Sequence, residues 1–250
     1  MQDHVLTSNT DGILVITLNR PERLNAWNTE MRDRLGSVFH KANDNPEIRA
    51  IILTGTGDRA FCAGQDLNEA KSFDGEASEA WIDKFRTFYN QIRRFEKPYV
   101  LALNGLTAGS AFQVALLGDQ RVGHSGSEMG QPEINSGILS MTGFWLIREI
   151  LGLARATDLV LTGRLMPAAE CANVGIINHL VPAEEVLTKA IQVASDLASK
   201  SQSAYRLNKR RICAATQASF DDAFEAARIQ HRISFDDGSP QATMNNFLKK

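Results

Sequence analysis

Three cysteines in 250 residues, Cys62, Cys171 and Cys213, are too few for a disulfide framework, and none sits in a CxxC pair that would suggest zinc. That scarcity fits a reducing compartment. The five histidines are scattered, without an HExxH pair, so no metal is expected. No apolar run approaches the length that spans a bilayer. The opening MQDHVLTSNTDG is polar and carries acidic residues, unlike a signal peptide or an Arg-rich transit peptide, and the closing Phe-Leu-Lys-Lys is no peroxisomal address. A net charge of -2 gives no reason to expect nucleic acid or an anionic membrane as partner. Low-complexity tracts, Pro-rich linkers and internal repeats are also missing. Together these absences predict a soluble, cytoplasmic protein whose partner is a small molecule. A local cluster of Lys and Arg could still bind an anionic substrate.

What is present is ordinary globular composition, 43% hydrophobic and 22% charged, on a chain long enough for one substantial core. Ile13 to Leu18 (ILVITL) reads as a strand buried on both faces and ends at Asn19-Arg20-Pro21. A helix follows from about Asn28, with Met31, Leu35, Phe39 and Ala42 on one stripe. Arg49 to Thr54 and Tyr99 to Leu103 are further strands, separated by a helix over 78–95 carrying Trp81, Phe85, Phe88 and Ile92 on one face. Strand, helix, strand alternation argues for parallel crossovers and an α/β architecture. Beyond about residue 183 the pattern is helical only: 182–200, 203–217, one helix after Ser219, and a last one N-capped by Ser239 with Pro240 at its first position. Such a region either covers the chain's own sheet or packs on another subunit.

Three segments stand out for chemistry. Ala60-Phe61-Cys62-Ala63-Gly64-Gln65-Asp66-Leu67 follows a strand and its glycine turn. Asn104-Gly105-Leu106-Thr107-Ala108-Gly109-Ser110-Ala111-Phe112-Gln113 follows another strand and opens a helix. Met129-Gly130-Gln131-Pro132-Glu133 is the third. Small residues before a helix allow close backbone approach and leave N–H groups free, although the same residues also serve a plain tight turn.

Taken together these segments resemble the crotonase (enoyl-CoA hydratase/isomerase) superfamily. The resemblance runs through Asn19-Arg20-Pro21, Leu24-Asn25-Ala26-Trp27, AFCAGQDL, ALNGLTAG, GQPE, Val160-Leu161-Thr162-Gly163-Arg164, the stretch from Asn173 to Val181, and Asn246-Phe247-Leu248-Lys249-Lys250. It implies a spiral of ββα repeats over about residues 1–190, with a helical C-terminal trimerisation region over 191–250 that assembles trimers and often hexamers. It also implies an oxyanion hole made by the backbone amides of Gln65 and Ser110. Coenzyme A, part of the substrate rather than a separate cofactor, would lie along Ala26, Ala63, Gln65, Asp66 and Leu67. Phe247 would approach the adenine and Lys250 the 3′-phosphate.

The pattern is broken in two places. Hydratases of the family carry two glutamates facing the thioester's α and β carbons; Glu133 matches one, but the other position is Gln113. A glutamine holds water yet cannot move a proton at neutral pH. One base suits a 1,3-proton shift better than hydration, so an enoyl-CoA isomerase using Glu133 is expected, with a hydratase in which Gln113 positions water as the alternative. A catalytically quiet CoA-binding protein is the reading of a different class. Second, Ile138 to Phe144 (ILSMTGF) stands where hydratases have a Pro-Gly-rich loop. Met141, Phe144 and Trp145 there either shape an apolar acyl pocket or pack the core. Cys62 reads as a buried structural thiol, and His124 as structural.

Overall fold

The computed structural model describes residues 3–249. In chain order the strands are β1 (Val5–Thr10), β2 (Ile13–Leu18), β3 (Ala50–Gly55), β4 (Ala60–Cys62), β5 (Tyr99–Leu103), β6 (Leu106–Ala108), β7 (Gln120–Gly123), β8 (Met129–Gly130), β9 (Leu165–Met166) and β10 (His179–Leu180). The helices are α1 (Thr29–Asp44), α2 (Leu67–Ala70), α3 (Gly75–Arg93), α4 (Ser110–Leu116), α5 (Met141–Leu151), α6 (Leu153–Thr162), α7 (Ala168–Asn173), α8 (Val186–Ala198), α9 (Gln202–Ala215), α10 (Gln217–Asp236) and α11 (Ser239–Phe247).

From β3 to β8 the strands are dealt alternately to two sheets. One has the order β1-β2-β3-β5-β7-β10 and the other β4-β6-β8-β9. Each of the pairs β3–β4, β5–β6 and β7–β8 puts one strand in each sheet before the chain leaves through helix, which is a ββα spiral. The long parallel strands obey a period of two. Ala50 and Ile52 of β3 face α8 together with Val100, Ala102 and Val122, while Ile51 and Leu53 face the main core. Burial on both faces explains why these strands read as unbroken apolar runs.

Local chemistry accounts for the helix starts. Asn28 caps α1 by accepting from the Met31 N–H at 3.0 Å, and Asp74 caps α3 through the Ala77 N–H at 2.8 Å. Each such cap stabilises its helix by about 1 kcal/mol. The expected apolar stripes of α1 and α3 are the buried ones. The last helix begins one residue earlier than expected, with Gly238 as the cap and Ser239 already helical. Two kinds of element escape the sequence pattern. β1 is a polar edge strand joined to β2 through Asp11 and Gly12, both at positive φ. β4, β6 and β8 are only two or three residues long.

Of the C-terminal helices, α8, α10 and α11 cover the chain's own core, while α9 buries none of its residues. α8 lies on one face of the larger sheet, and Phe220, Phe224 and Ala227 of α10 join the same core cluster as α3. Their outer faces keep Leu207, Ile212, Ile229 and Ile233 exposed. No helix among the described residues is long and apolar enough to cross a membrane.

Candidate active site

A cavity of about 720 Å³ opens where the ends of β4 and β6 meet the Pro132–Ser136 turn and the helices α3 and α10. Gln65, Ser110, Gln113 and Glu133 all line it, as do Ala26, Ala63, Asp66, Leu67 and Phe247. The chain therefore gathers residues from five separate segments around one cavity. Lys250 lies outside the described residues. Met141, Phe144 and Trp145 are not on this wall. Trp145 is buried away from it, its ring edge-on to Phe220 and its Nε1–H donated to Ser219 Oγ at 2.9 Å. The core-packing alternative is the one realised for that segment, because helix α5 turns this face toward α10.

Two glycines set the geometry of the thioester end. Gly64 has φ +90, and a Cβ built on it would stand 2.7 Å from the Ala108 oxygen and 3.3 Å from the Ser110 nitrogen. Only a residue without a side chain lets the Gln65 and Ser110 amides come this close. Neither N–H has an acceptor among the described residues. Gly109, at φ +61, does the same for the acid: a Cβ there would meet Glu133 Oε1 at 3.0 Å. The carboxylate thus lies against the residue that precedes the free Ser110 amide. Two free donors beside one carboxyl group can hold an oxyanion while a proton moves next to it.

Buried side chains hold this frame still. The Trp27 Nε1–H donates to Ser110 Oγ at 3.1 Å, tying the Asn25–Trp27 segment to the second donor. Gln65 Oε1 accepts from Arg32 Nη1 at 2.7 Å and Trp81 Nε1 at 3.3 Å, and its Nε2 donates to Glu69 Oε2 at 2.7 Å. Arg32 is almost wholly buried, with its guanidinium 4.2 Å over the Phe85 ring. Asp66 is paired with Arg20 at 3.0 Å, which also donates to the Ala26 oxygen at 2.8 Å.

At the acid end, Glu133 Oε1 accepts from Gln131 Nε2 at 2.6 Å and, across a long 3.5 Å contact, from Gln113 Nε2. Its Oε2 is out of water and has no partner among the described residues. Burial pushes the carboxyl up to about 8, with its backbone and the Gln113 amide pulling partway back. Gln113 is oriented by two hydroxyl groups: Tyr89 Oη donates to its Oε1 at 3.0 Å and Thr142 Oγ1 at 2.9 Å. With both lone pairs of that oxygen engaged, the amide presents only N–H to Glu133 and the cavity. Cys62 is fully buried and pushed up to about 12 by that burial, the state of a structural thiol. His124 ties the turn after β7, its Nδ1 accepting from the Gly126 N–H at 3.2 Å, and does not line the cavity.

Several residues on the wall escape sequence reasoning. Tyr89 and His231 each interrupt an apolar helical stripe, and a polar group inside such a stripe needs a partner or a function, which is a usable signal. Thr142, on the wall, and Ser140 behind it, which accepts from Gln131 Nε2 at 2.6 Å, carry no comparable signal.

Comparison with known proteins agrees with this architecture. A family model described as Enoyl-CoA hydratase/isomerase matches residues 8–250. A probable enoyl-CoA hydratase of Mycobacterium tuberculosis is 31% identical over 247 residues, covering 98% of this chain and 95% of the relative. A 1,2-epoxyphenylacetyl-CoA isomerase of Escherichia coli is 31% identical over 257 residues, covering 100% and 97%. A crystal structure of an enoyl-CoA hydratase/isomerase from Mycobacterium paratuberculosis superposes with a TM-score of 0.90 over 98% of this chain and 99% of that one, at 24% identity. Matched along nearly its whole length by the family and by relatives of its own size, the chain belongs to the enoyl-CoA hydratase/isomerase family of the crotonase superfamily.

Proposed function

We propose that this enzyme is an enoyl-CoA isomerase with Glu133 as its single acid–base group. Ionised Glu133 removes a proton from the α carbon of a 3-enoyl-CoA. The electron pair spreads into a dienolate whose oxygen accepts from the Gln65 and Ser110 amides. The same carboxyl group, its proton exchanging with solvent in the dienolate complex, then protonates the γ carbon, leaving a 2-enoyl-CoA. Nothing is oxidised or reduced, and the substrate's coenzyme A is the only cofactor the step needs.

The observation that carries this reading is the state of Gln113. Its oxygen is occupied by Tyr89 and Thr142, so it offers a nucleophilic water no acceptor. Hydration needs water to give up a proton to a base while the α carbon gains one, and one carboxyl would have to serve both. The unpartnered Glu133 Oε2 and its raised pKa suit abstraction of a weakly acidic carbon-bound proton. Hydratase names among the relatives favour the second reading, a hydratase in which the Gln113 amide positions water and Glu133 handles the protons. Supplying 3-enoyl- and 2-enoyl-CoA thioesters in deuterated water separates the two. Positional isomerisation with deuterium wash-in supports the isomerase, and hydration without it overturns the proposal.

Coenzyme A would run along Ala26, Ala63, Asp66 and Leu67 toward Phe247, the wall that leads out of the cavity. The exposed Leu207, Ile212, Ile229 and Ile233 would be covered in a homotrimer or homohexamer, making 191–250 the assembly region of a cytoplasmic enzyme.

A further inference from the structure

Arg32 is a charge where the apolar stripe of α1 calls for none. It sits between the buried Met31 and Leu35 and is itself 1% exposed. Arginine is rarely buried so fully without a paired charge. Here its direct partners are neutral: Nη1 donates to Gln65 Oε1 at 2.7 Å and Nη2 to Thr29 Oγ1 at 3.0 Å. Its Nε has no partner among the described residues, and its flat face lies on Phe85. Glu69 is linked to it through Gln65, whose Nε2 donates to Glu69 Oε2 at 2.7 Å.

The guanidinium is therefore directed at the side chain of the residue whose backbone N–H is left without an acceptor on the cavity wall. Trp81 Nε1 donates to the same Gln65 oxygen at 3.3 Å, so both of its lone pairs are engaged. The backbone on either side of Gln65 needs no such help. The Trp27 N–H already donates to the Gly64 oxygen, and the Asp66 N–H to the Trp27 oxygen, each at 2.9 Å. What Arg32 restrains is the side-chain amide. An unrestrained glutamine oxygen beside two unpaired N–H donors would compete for them with any carbonyl that enters the cavity.

We propose that Arg32 is a positioning residue that keeps the oxyanion hole open: with Trp81 it holds the Gln65 side-chain oxygen away from the Gln65 and Ser110 amides, leaving both for the thioester oxygen. This rests on the enolate reading above and adds to it a residue that touches no substrate.

Arg32→Met tests this, since it keeps the bulk and removes the donor. An apolar side chain in place of a buried charge need not destabilise the fold. A saturated medium-chain acyl-CoA, isotope-labelled at its carbonyl carbon, gives two readouts: deuterium uptake at the α carbon in deuterated water, and the infrared band of the bound carbonyl. In Arg32→Met, uptake should fall about 10- to 100-fold, short of the full loss of one oxyanion donor, and the band should move toward that of free thioester. The dissociation constant from calorimetry should stay within about threefold, because the loss is confined to the enolate. Arg32→Lys, which keeps a donor, should retain most of the uptake. Adding Gln65→Met to Arg32→Met removes the competing oxygen and should recover about tenfold of the lost rate. Uptake in Arg32→Met within about twofold of wild type, or no recovery on adding Gln65→Met, overturns the proposal. So does a parallel loss of binding and melting temperature, which would make Arg32 structural. Saturated thioesters are neither isomerised nor hydrated, so the result is independent of the reaction that follows the enolate. A wild-type protein that binds the thioester without exchanging its α proton or shifting its carbonyl band removes the enolate reading, and this inference with it.

Discussion

The two ends of the cavity are built from different materials. At the end proposed for the thioester the groups assigned a role are backbone: two amides, at Gln65 and Ser110, left free where Gly64 allows its segment to pass close to Ala108 and Ser110. At the acyl end they are side chains carried on three separate elements: Tyr89 on α3, Gln113 on α4 and Glu133 in the Pro132–Ser136 turn. Backbone donors stabilise an enolate whatever becomes of it afterwards. Side chains decide where the proton goes. Within this cavity, then, the proposed enolate chemistry rests on backbone freed by a glycine, and the proposed course of the proton rests on side chains from separate elements.

The comparison can be broken from either end. The largest effect is expected from Glu133→Gln, which removes the only group assigned to both proton transfers. Turnover should fall by about 10²- to 10⁴-fold while acyl-CoA binding persists, measured by thioester absorbance and calorimetry on the same preparation. Turnover within a few-fold of wild type would mean that another base operates, and loss of binding would mean a structural role. Gly64→Ala attacks the opposite end. The new Cβ would meet the Ala108 oxygen at 2.7 Å on a backbone already at φ +90, so the donors must separate. A loss of about 10²- to 10³-fold in kcat/KM is expected, together with a lower melting temperature from about 1–3 kcal/mol of strain. Like the first variant, it should slow α-proton exchange and isomerisation alike.

How much of this was legible in the sequence divides along the same line. β2, β3 and β5 were readable because strands buried on both faces leave unbroken apolar runs. Gln65, Ser110, Gln113 and Glu133 were singled out through the resemblance of their segments to the crotonase superfamily, since small residues before a helix serve a plain tight turn equally well. β4, β6 and β8 were not readable, since two or three residues cannot show a period, and the second sheet exists only through pairing between segments far apart. The acyl end was left open between a pocket and core packing for a related reason. Met141, Phe144 and Trp145 lie next to Glu133 in sequence, but α5 turns Trp145 into the core against Phe220. Tyr89 and His231, far away along the chain, take the places on the wall. Only tertiary packing brings them there.

The raised pKa of Glu133 offers a way to sharpen the contrast without altering the fold. The base must be ionised to act, so kcat/KM should rise by about tenfold per pH unit up to about 8 and then level off. The stability sign runs the other way. A carboxyl whose folded pKa is raised from 4.5 to about 8 stabilises the fold below the lower value and loses that contribution as pH climbs to the upper one. Glu133→Gln should therefore melt later than wild type at pH 9, and a wild-type protein equally stable there would mean that the carboxyl is not desolvated.

The smallest expected effect tests the part of the acid end that touches no reacting atom. Tyr89→Phe with Thr142→Val removes both donors to Gln113 Oε1, at 3.0 and 2.9 Å, and frees the amide to rotate. Once the oxygen can face Glu133, the ionised carboxylate loses a stabilising N–H and gains a repelling dipole. The midpoint of the kcat/KM profile should move upward by about 0.5–1 pH unit, the equivalent of one modest hydrogen bond, with the plateau reduced less than tenfold. The Gly64→Ala variant should leave that midpoint in place, because its damage lies in the backbone donors. A midpoint unmoved by the double substitution would show that Gln113 is held by its own packing and that Tyr89 and Thr142 only fill space. A shift, with the thioester end untouched, would establish the acyl end as a separately tunable unit.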